Sequence, residues 1–216
     1  MNRKRLCSVL LILTLLFGSF TTVSFGASGT KKMITYDVIK SKSNVYCATP
    51  LGVYKVNLKN KKVKWLFKVD AYESTINGGA YAMRMNKGYL YFLRDASMAA
   101  RVYRIKVPNG KVKQLFPNYG VWNYAISKGK IYFDGINYND NCKEIKRVSN
   151  LAGKKIKKSK YKVVMKNRKT NKKGYYIQSI YNGYLEDSYG EWYNYYTDYL
   201  VIPGGKRIKL CTYPRD

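Results

Sequence analysis

From Met33 onward the chain is written in short stretches where apolar and polar residues alternate, as in Arg101-Val102-Tyr103-Arg104-Ile105-Lys106. A period of two places apolar side chains on one face of a half-buried strand. The same stretches are rich in Val, Ile and Tyr, residues that suit a pleated surface. Between them stand turn signals such as Asn86-Lys87-Gly88 and Pro108-Asn109-Gly110, which predict hairpins. One window resolves into four strands, A to D: residues 80–85, 88–93, 101–107 and 111–116. Helical periodicity is absent beyond the first twenty-odd residues, so the pattern predicts an all-β protein.

The strands come in sets. Residues 53–67 align without a gap over residues 102–116, and eight of the fifteen pairs are identical, including Val53/Val102, Tyr54/Tyr103, Leu66/Leu115 and Phe67/Phe116. Upstream, Val45-Tyr46-Cys47 matches Tyr89-Leu90-Tyr91-Phe92 and Lys130-Ile131-Tyr132-Phe133, with Gly183-Tyr184-Leu185 as a weaker fourth copy. The closing hairpin recurs at Val63, Val112, Ile156 and Ile208, in steps of 49, 44 and 52 residues. A four-stranded unit repeating at this period is a propeller blade, which buries its faces only by stacking on its neighbours. The expectation is a β-propeller-like array of about four four-stranded blades, at residues 33–69, 80–117, 121–165 and 174–213, preceded by an N-terminal signal helix. Strand A opens the array at Met33–Ile39 and strand D ends it at Arg207–Tyr213. No strand is left to complete a blade by exchange, so closure must rest on packing between the first and last blades, or the array stays open.

These phrases, Gly-x-Leu-Tyr-Phe, then Val-Tyr-Arg-Ile, then Asn-Gly-Lys, then a Val-x-x-Leu strand, resemble the β-propeller repeats related to those of the low-density-lipoprotein receptor. Such repeats recur in secreted proteins of Gram-positive bacteria whose function is unknown. The resemblance covers residues 33–213 and implies a propeller, but its motifs are structural and imply no activity. Tyr195-Tyr196-Thr197-Asp198 is similar to the family's Tyr-Trp-Thr-Asp signature. It lies on strand C, however, where the signature belongs on the second strand.

The first residues read differently. Asn2-Arg3-Lys4-Arg5 precedes a largely apolar run from Leu6 to Phe20, and Ser24 and Gly26 are small residues at the −3 and −1 positions of a cleavage site. That is a secretory signal, residues 1–26, with the mature domain at 27–216 and no membrane-spanning segment in it. The run is shorter than the ~20 residues a spanning helix needs, and no Cys follows the small residues to accept a lipid. The mature chain keeps Cys47, Cys142 and Cys211; three thiols are no disulfide framework, and one bridge or none remain equally open.

Charge and the missing histidine narrow the chemistry. With 41 Lys and Arg against 12 Asp and Glu and no His, a Ser-His-Asp triad, a His-ligated zinc and imidazole acid–base catalysis are excluded. No cofactor or metal motif is present. Asp134 to Asp140 lacks the acid spacing and distal Glu of a calcium loop. Net charge is +29, and loss of the signal leaves +26. Solubility needs a net charge of only ~2–8 on a small domain. A secreted protein this basic is expected to hold an anionic cell-wall polymer or polysaccharide, with nucleic acid only as a non-specific polyanion and a protein partner as the other option.

The charges also segregate along the repeat. The A–B and C–D turns are Lys-rich and place Lys62, Lys111, Lys155 and Arg207 at matching corners. The B–C and D–A loops hold eight of the twelve acids, Asp70, Glu73, Asp95, Asp134, Asp140, Glu186, Asp187 and Glu191, with aromatics beside them. Tyr72, Glu73, Asp95, Asp134, Tyr138, Glu186, Tyr189, Glu191 and Trp192 are therefore the candidate ligand-binding mouth, because aromatic faces beside carboxylates suit sugars or cationic side chains. Trp65 and Trp122 are expected to pack between blades. Between Lys154 and Lys173, eleven of twenty residues are basic and none acidic; the later part is expected in a D–A loop. The function read from sequence is a secreted, non-catalytic adhesion module. The alternative is a carboxylate-based carbohydrate-active enzyme using two of Asp95, Asp134, Glu186 and Glu191.

Overall fold

A computed structural model describes residues 29–70, 78–107, 110–186, 190 and 192–215; the signal and its Gly26/Ala27 cleavage site lie outside them. The described residues form strands and turns without a helix. Three antiparallel four-stranded meanders follow one another. The first runs β1 (Thr30–Ser41), β2 (Asn44–Thr49), β3 (Gly52–Asn57) and β4 (Val63–Lys68). The second is β5 (Ala80–Asn86), β6 (Tyr89–Arg94), β7 (Arg101–Lys106) and β8 (Val112–Leu115). The third is β9 (Tyr119–Ser127), β10 (Lys130–Asn137), β11 (Lys143–Asn150) and β12 (Lys157–Lys158). The first hairpin of each meander turns on two residues, Lys42-Ser43, Lys87-Gly88 and Lys128-Gly129. The lysines sit at φ 50, 47 and 46° and both glycines are left-handed too, as in the tight turns whose twist matches the strands they join.

The repeated phrase sets the stacking. In β2, β6 and β10 the third residue is Tyr46, Tyr91 or Tyr132, each at most 9% exposed. Side chains on either side of each tyrosine point to the opposite face. Thus Tyr46 packs with Leu90 and Phe92 of the second meander, while Val45 and Cys47 turn the other way, towards Leu200, Ile208 and Cys211 near the C-terminus. Leu90 faces back to the first meander, and Tyr91 faces forward to Val121, Tyr124 and Ile131 of the third. The start of each meander sits beside a turn of the one before: a Cβ on Gly79 would lie 2.2 Å from Pro50 Cα, and Val121 N–H donates to Ala100 O at 2.8 Å.

The last quarter departs from the expected four-stranded blade. Tyr176–Glu186 is one strand, β14, paired along its length with β15 (Trp192–Val201), which pairs with β16 (Arg207–Arg215). The Asn182-Gly183 step, a hairpin signal by composition, is here a bulge between Tyr181 and Tyr184. Gly183 takes up the distortion at φ 104°, and Asn182 Nδ2 donates across it to Thr197 Oγ1 at 2.7 Å. Tyr184 is therefore 66% exposed and is not the depth equivalent of the other three tyrosines.

A strand also appears where a loop was expected. β13 (Lys162–Thr170) pairs in parallel with β1 from Thr30↔Lys162 to Val38↔Thr170. Only the last residues of β1, from Val38, pair with β2. β1 also pairs β5 at Tyr36↔Met83, so the first two meanders and β13 make one nine-stranded, nearly closed barrel-like sheet. Side-chain hydrogen bonds, running from buried Thr35 out to exposed Asn167, fix this junction. Thr35 Oγ1 donates to Asn167 Oδ1 at 3.0 Å, and Asn167 Nδ2 donates to Asp37 Oδ1 at 2.6 Å. Ala82, at φ 53° in the β5 bulge, donates its N–H to Asp37 and accepts from Tyr124 Oη at 2.8 Å. Burial, set against those bonds and the Lys169 charge, leaves the Asp37 carboxyl above its ordinary range.

Candidate functional site

Lys62, Lys111 and Lys155 occupy the β3–β4, β7–β8 and β11–β12 turns, and Arg207 opens β16 after the β15–β16 turn; all four are exposed. Lys42, Lys87 and Lys128 add exposed cations at the first hairpin of each meander. Hairpin tips are where Lys is easily solvated and where it guards strand edges. Here the tips recur on the same side of each repeat.

The residues expected at the opposite mouth disperse. Tyr72, Glu73, Tyr189 and Glu191 lie outside the described residues. Tyr138 carries the Arg101 guanidinium over its ring at 4.1 Å, and Arg101 Nη1 donates to Tyr119 O at 3.1 Å, so this aromatic holds a turn together. Asp95 pairs with the Tyr81 hydroxyl; burial keeps its carboxyl above the ordinary range although that bond pulls it down. Glu186 ends β14 and is exposed. Trp192, 66% exposed, meets Tyr184 edge-on at 6.4 Å. Asp134 lies within β10 rather than in a loop.

Around Asp134 the third meander builds a cleft of about 690 Å³. A bulge creates it. Asp134 pairs with Asn123 but Gly135 pairs with Val121, which leaves Trp122 as the extra residue. Bulges re-aim side chains, and Trp122 swings out to 42% exposure, lining the cleft instead of packing between sheets. Only glycine fits opposite: a Cβ on Gly135 would fall 1.9 Å from Gly120 O. The Asp134 carboxylate takes bonds from the Asn123 side chain and from the backbone N–H groups of Asn123 and Val163, so it also docks β13. Its Oδ1 is buried without a partner, and burial outweighs those bonds to raise its pKa. The rim is mixed: Asp140 and Glu144 against Lys143, Lys146, Arg147, Lys158 and Lys162.

Trp65 also departs from the packing expectation at 41% exposure, although its ring lies 5.3 Å from that of Tyr54. Sequence reasoning missed Trp122 because a bulge reverses the alternation that assigns a face; Gly135 directly opposite was the available signal. Of the three described acids among the four considered for a glycosidase pair, only Asp134 lines the cleft. Among the described residues no three His, Cys, Asp or Glu converge to hold a metal ion. The three cysteines are free. Burial pushes the Cys211 thiol up to about 11 and Cys47 further still, with the Asp198 charge adding to the shift, so neither forms a reactive thiolate. No family model matches this sequence, and no curated protein matches it.

Proposed function

We propose that the chain is a secreted, non-catalytic adhesion module that holds an anionic cell-surface polymer against a basic end formed by its hairpin turns. One observation carries this reading: Lys62, Lys111, Lys155 and Arg207, four cations at corresponding corners of the repeat, all project into solvent. Ion pairing there is cheap in desolvation, and its strength comes from number rather than from any one contact. The scaffold in this reading is a propeller-like stack in which the C-terminal three strands, the first, the second and the third meander follow in that order as blades. The order is supported by the three core clusters, each shared between neighbours, and by the likeness to receptor-type propeller repeats. The signal at residues 1–26 supports export, and the +29 charge supports a polyanionic partner.

Replacing Lys62, Lys111, Lys155 and Arg207 with Glu tests it. The wild-type protein is expected to co-sediment with purified bacterial cell walls at low salt. It should be released as the Debye length falls from ~10 Å at 0.1 M to ~3 Å at 1 M salt. The reversed protein, still folded by its melting profile, is expected in the supernatant at 0.1 M. Sedimentation of the reversed protein to the wild-type extent would overturn the assignment to these corners.

A further inference from the structure

We propose that the Trp122–Asp134 cleft is a second, specific site that binds a short segment of an acidic saccharide, with a sugar ring against Trp122, sugar hydroxyls donating to the Asp140 and Glu144 carboxylates on the rim, and carboxylate or phosphate substituents meeting Lys146, Lys158 and Lys162. The inference rests on the adhesion reading for the polymer's negative charge and adds to it a sugar-recognising element. Four observations converge. The cleft's volume of about 690 Å³ lies within the ~300–1,000 Å³ of small-molecule sites. An indole in a bulge is turned outward at 42% exposure, and burying its apolar face against the C–H face of a sugar would recover area now given to water.

The third observation is chemical. Asp140 and Glu144 are exposed carboxylates on the rim. A sugar hydroxyl can donate to them, which a carboxylate or a fully ionised phosphate cannot. The fourth is the rim, where five cations outnumber three carboxylates. That excess calls for an anionic ligand, while Asp140 and Glu144 call for hydroxyl donors beside the charge. An acidic saccharide offers both; a DNA strand offers phosphates with almost no hydroxyls. The bulge and Gly135 hold Trp122 and Asp134 on two paired strands, a rigid mount for a binding site.

The test is calorimetric titration at ~0.15 M salt, where charges farther apart than a Debye length of ~8 Å are largely screened, with hexagalacturonate as the carboxylate probe and a glucose-phosphate oligomer as the phosphate probe. Maltohexaose, inorganic polyphosphate and a dodecathymidylate serve as comparisons. At least one acidic sugar should bind the wild-type protein, and both Trp122→Ala and Lys158→Glu should weaken it by about tenfold or more, while maltohexaose binds about tenfold more weakly than the acidic probe. Whichever acidic sugar binds identifies the substituent. Polyphosphate should respond to the corner reversals and not to Trp122→Ala. The proposal is overturned if neither acidic sugar binds, if Trp122→Ala and Lys158→Glu both bind within about twofold of wild type, or if dodecathymidylate shows the same Trp122 dependence with higher affinity. Because the four corner residues lie outside the cleft, the corner-reversed protein should keep this binding; loss of cleft binding with wall adhesion intact refutes the cleft alone.

Discussion

Asp37 shows how a single residue governs the junction between β1, β5 and β13. It accepts from Ala82 and Asn167, yet burial keeps its folded pKa above the unfolded value near 3.8. A raised carboxyl pKa means the folded state binds the proton more tightly, so stability falls as pH rises from the unfolded value through the folded one. Asp37→Asn retains an acceptor and removes the charge. Its melting temperature should match or exceed wild type at pH 7, with the gap closing below about pH 4; a gap that opens on acidification would contradict the sign. Leu115, 1% exposed in the core shared by the second and third meanders, should cost about 2–5 kcal/mol on truncation to Ala, read by urea unfolding. Burial at this scale was legible wherever alternation held. Leu115 and the tyrosines at 46, 91 and 132 follow their phrases, whereas Trp122 does not, because one inserted residue shifts the face on which it stands.

At the scale of elements, local chemistry foretold the first three hairpins and misjudged the fourth. Lys128-Gly129 is a turn because two strands of matched length flank it and both residues accept a left-handed backbone. Asn182-Gly183 has the better turn composition and remains in a strand, since β15 offers partners on both sides of it. Long-range pairing outweighs a local preference of that size. Lys128, left-handed at φ 46°, is strained relative to Asn, which tolerates that region. Lys128→Asn should therefore stabilise the protein by about 0.5 kcal/mol, measured as a shift in the urea midpoint without change in slope. β13 was illegible for another reason. Its dense Lys and Arg read as a solvated loop, while only Val163 among its residues is fully buried. Its place is fixed by backbone pairing to β1 and by Asn167, and neither leaves a hydrophobic period to read.

For the whole molecule, the alternating pattern foretold an all-β protein, while the nearly closed, barrel-like sheet was not foretold. The first sheet packs against the C-terminal strands through Cys47, Tyr54, Leu200 and Cys211. The other seam, between the third meander and the C-terminal strands, shares no core cluster among the described residues. β13 runs there beside the open cleft, with Val163 in the third meander's core and Lys162 on the cleft rim. Charge could be placed on turns from sequence, whereas the convergence of Trp122 with Asp134 required the bulge register. The claim that unites sequence, fold and charge is adhesion to an anionic surface polymer, and its most direct test alters the surface rather than the protein. Cell walls from a Gram-positive bacterium are divided, one half stripped of anionic polymer and the other left intact, and wild-type protein is sedimented with each at 0.1 M salt. The account predicts retention on intact walls and release from stripped ones. Equal retention on both would contradict it.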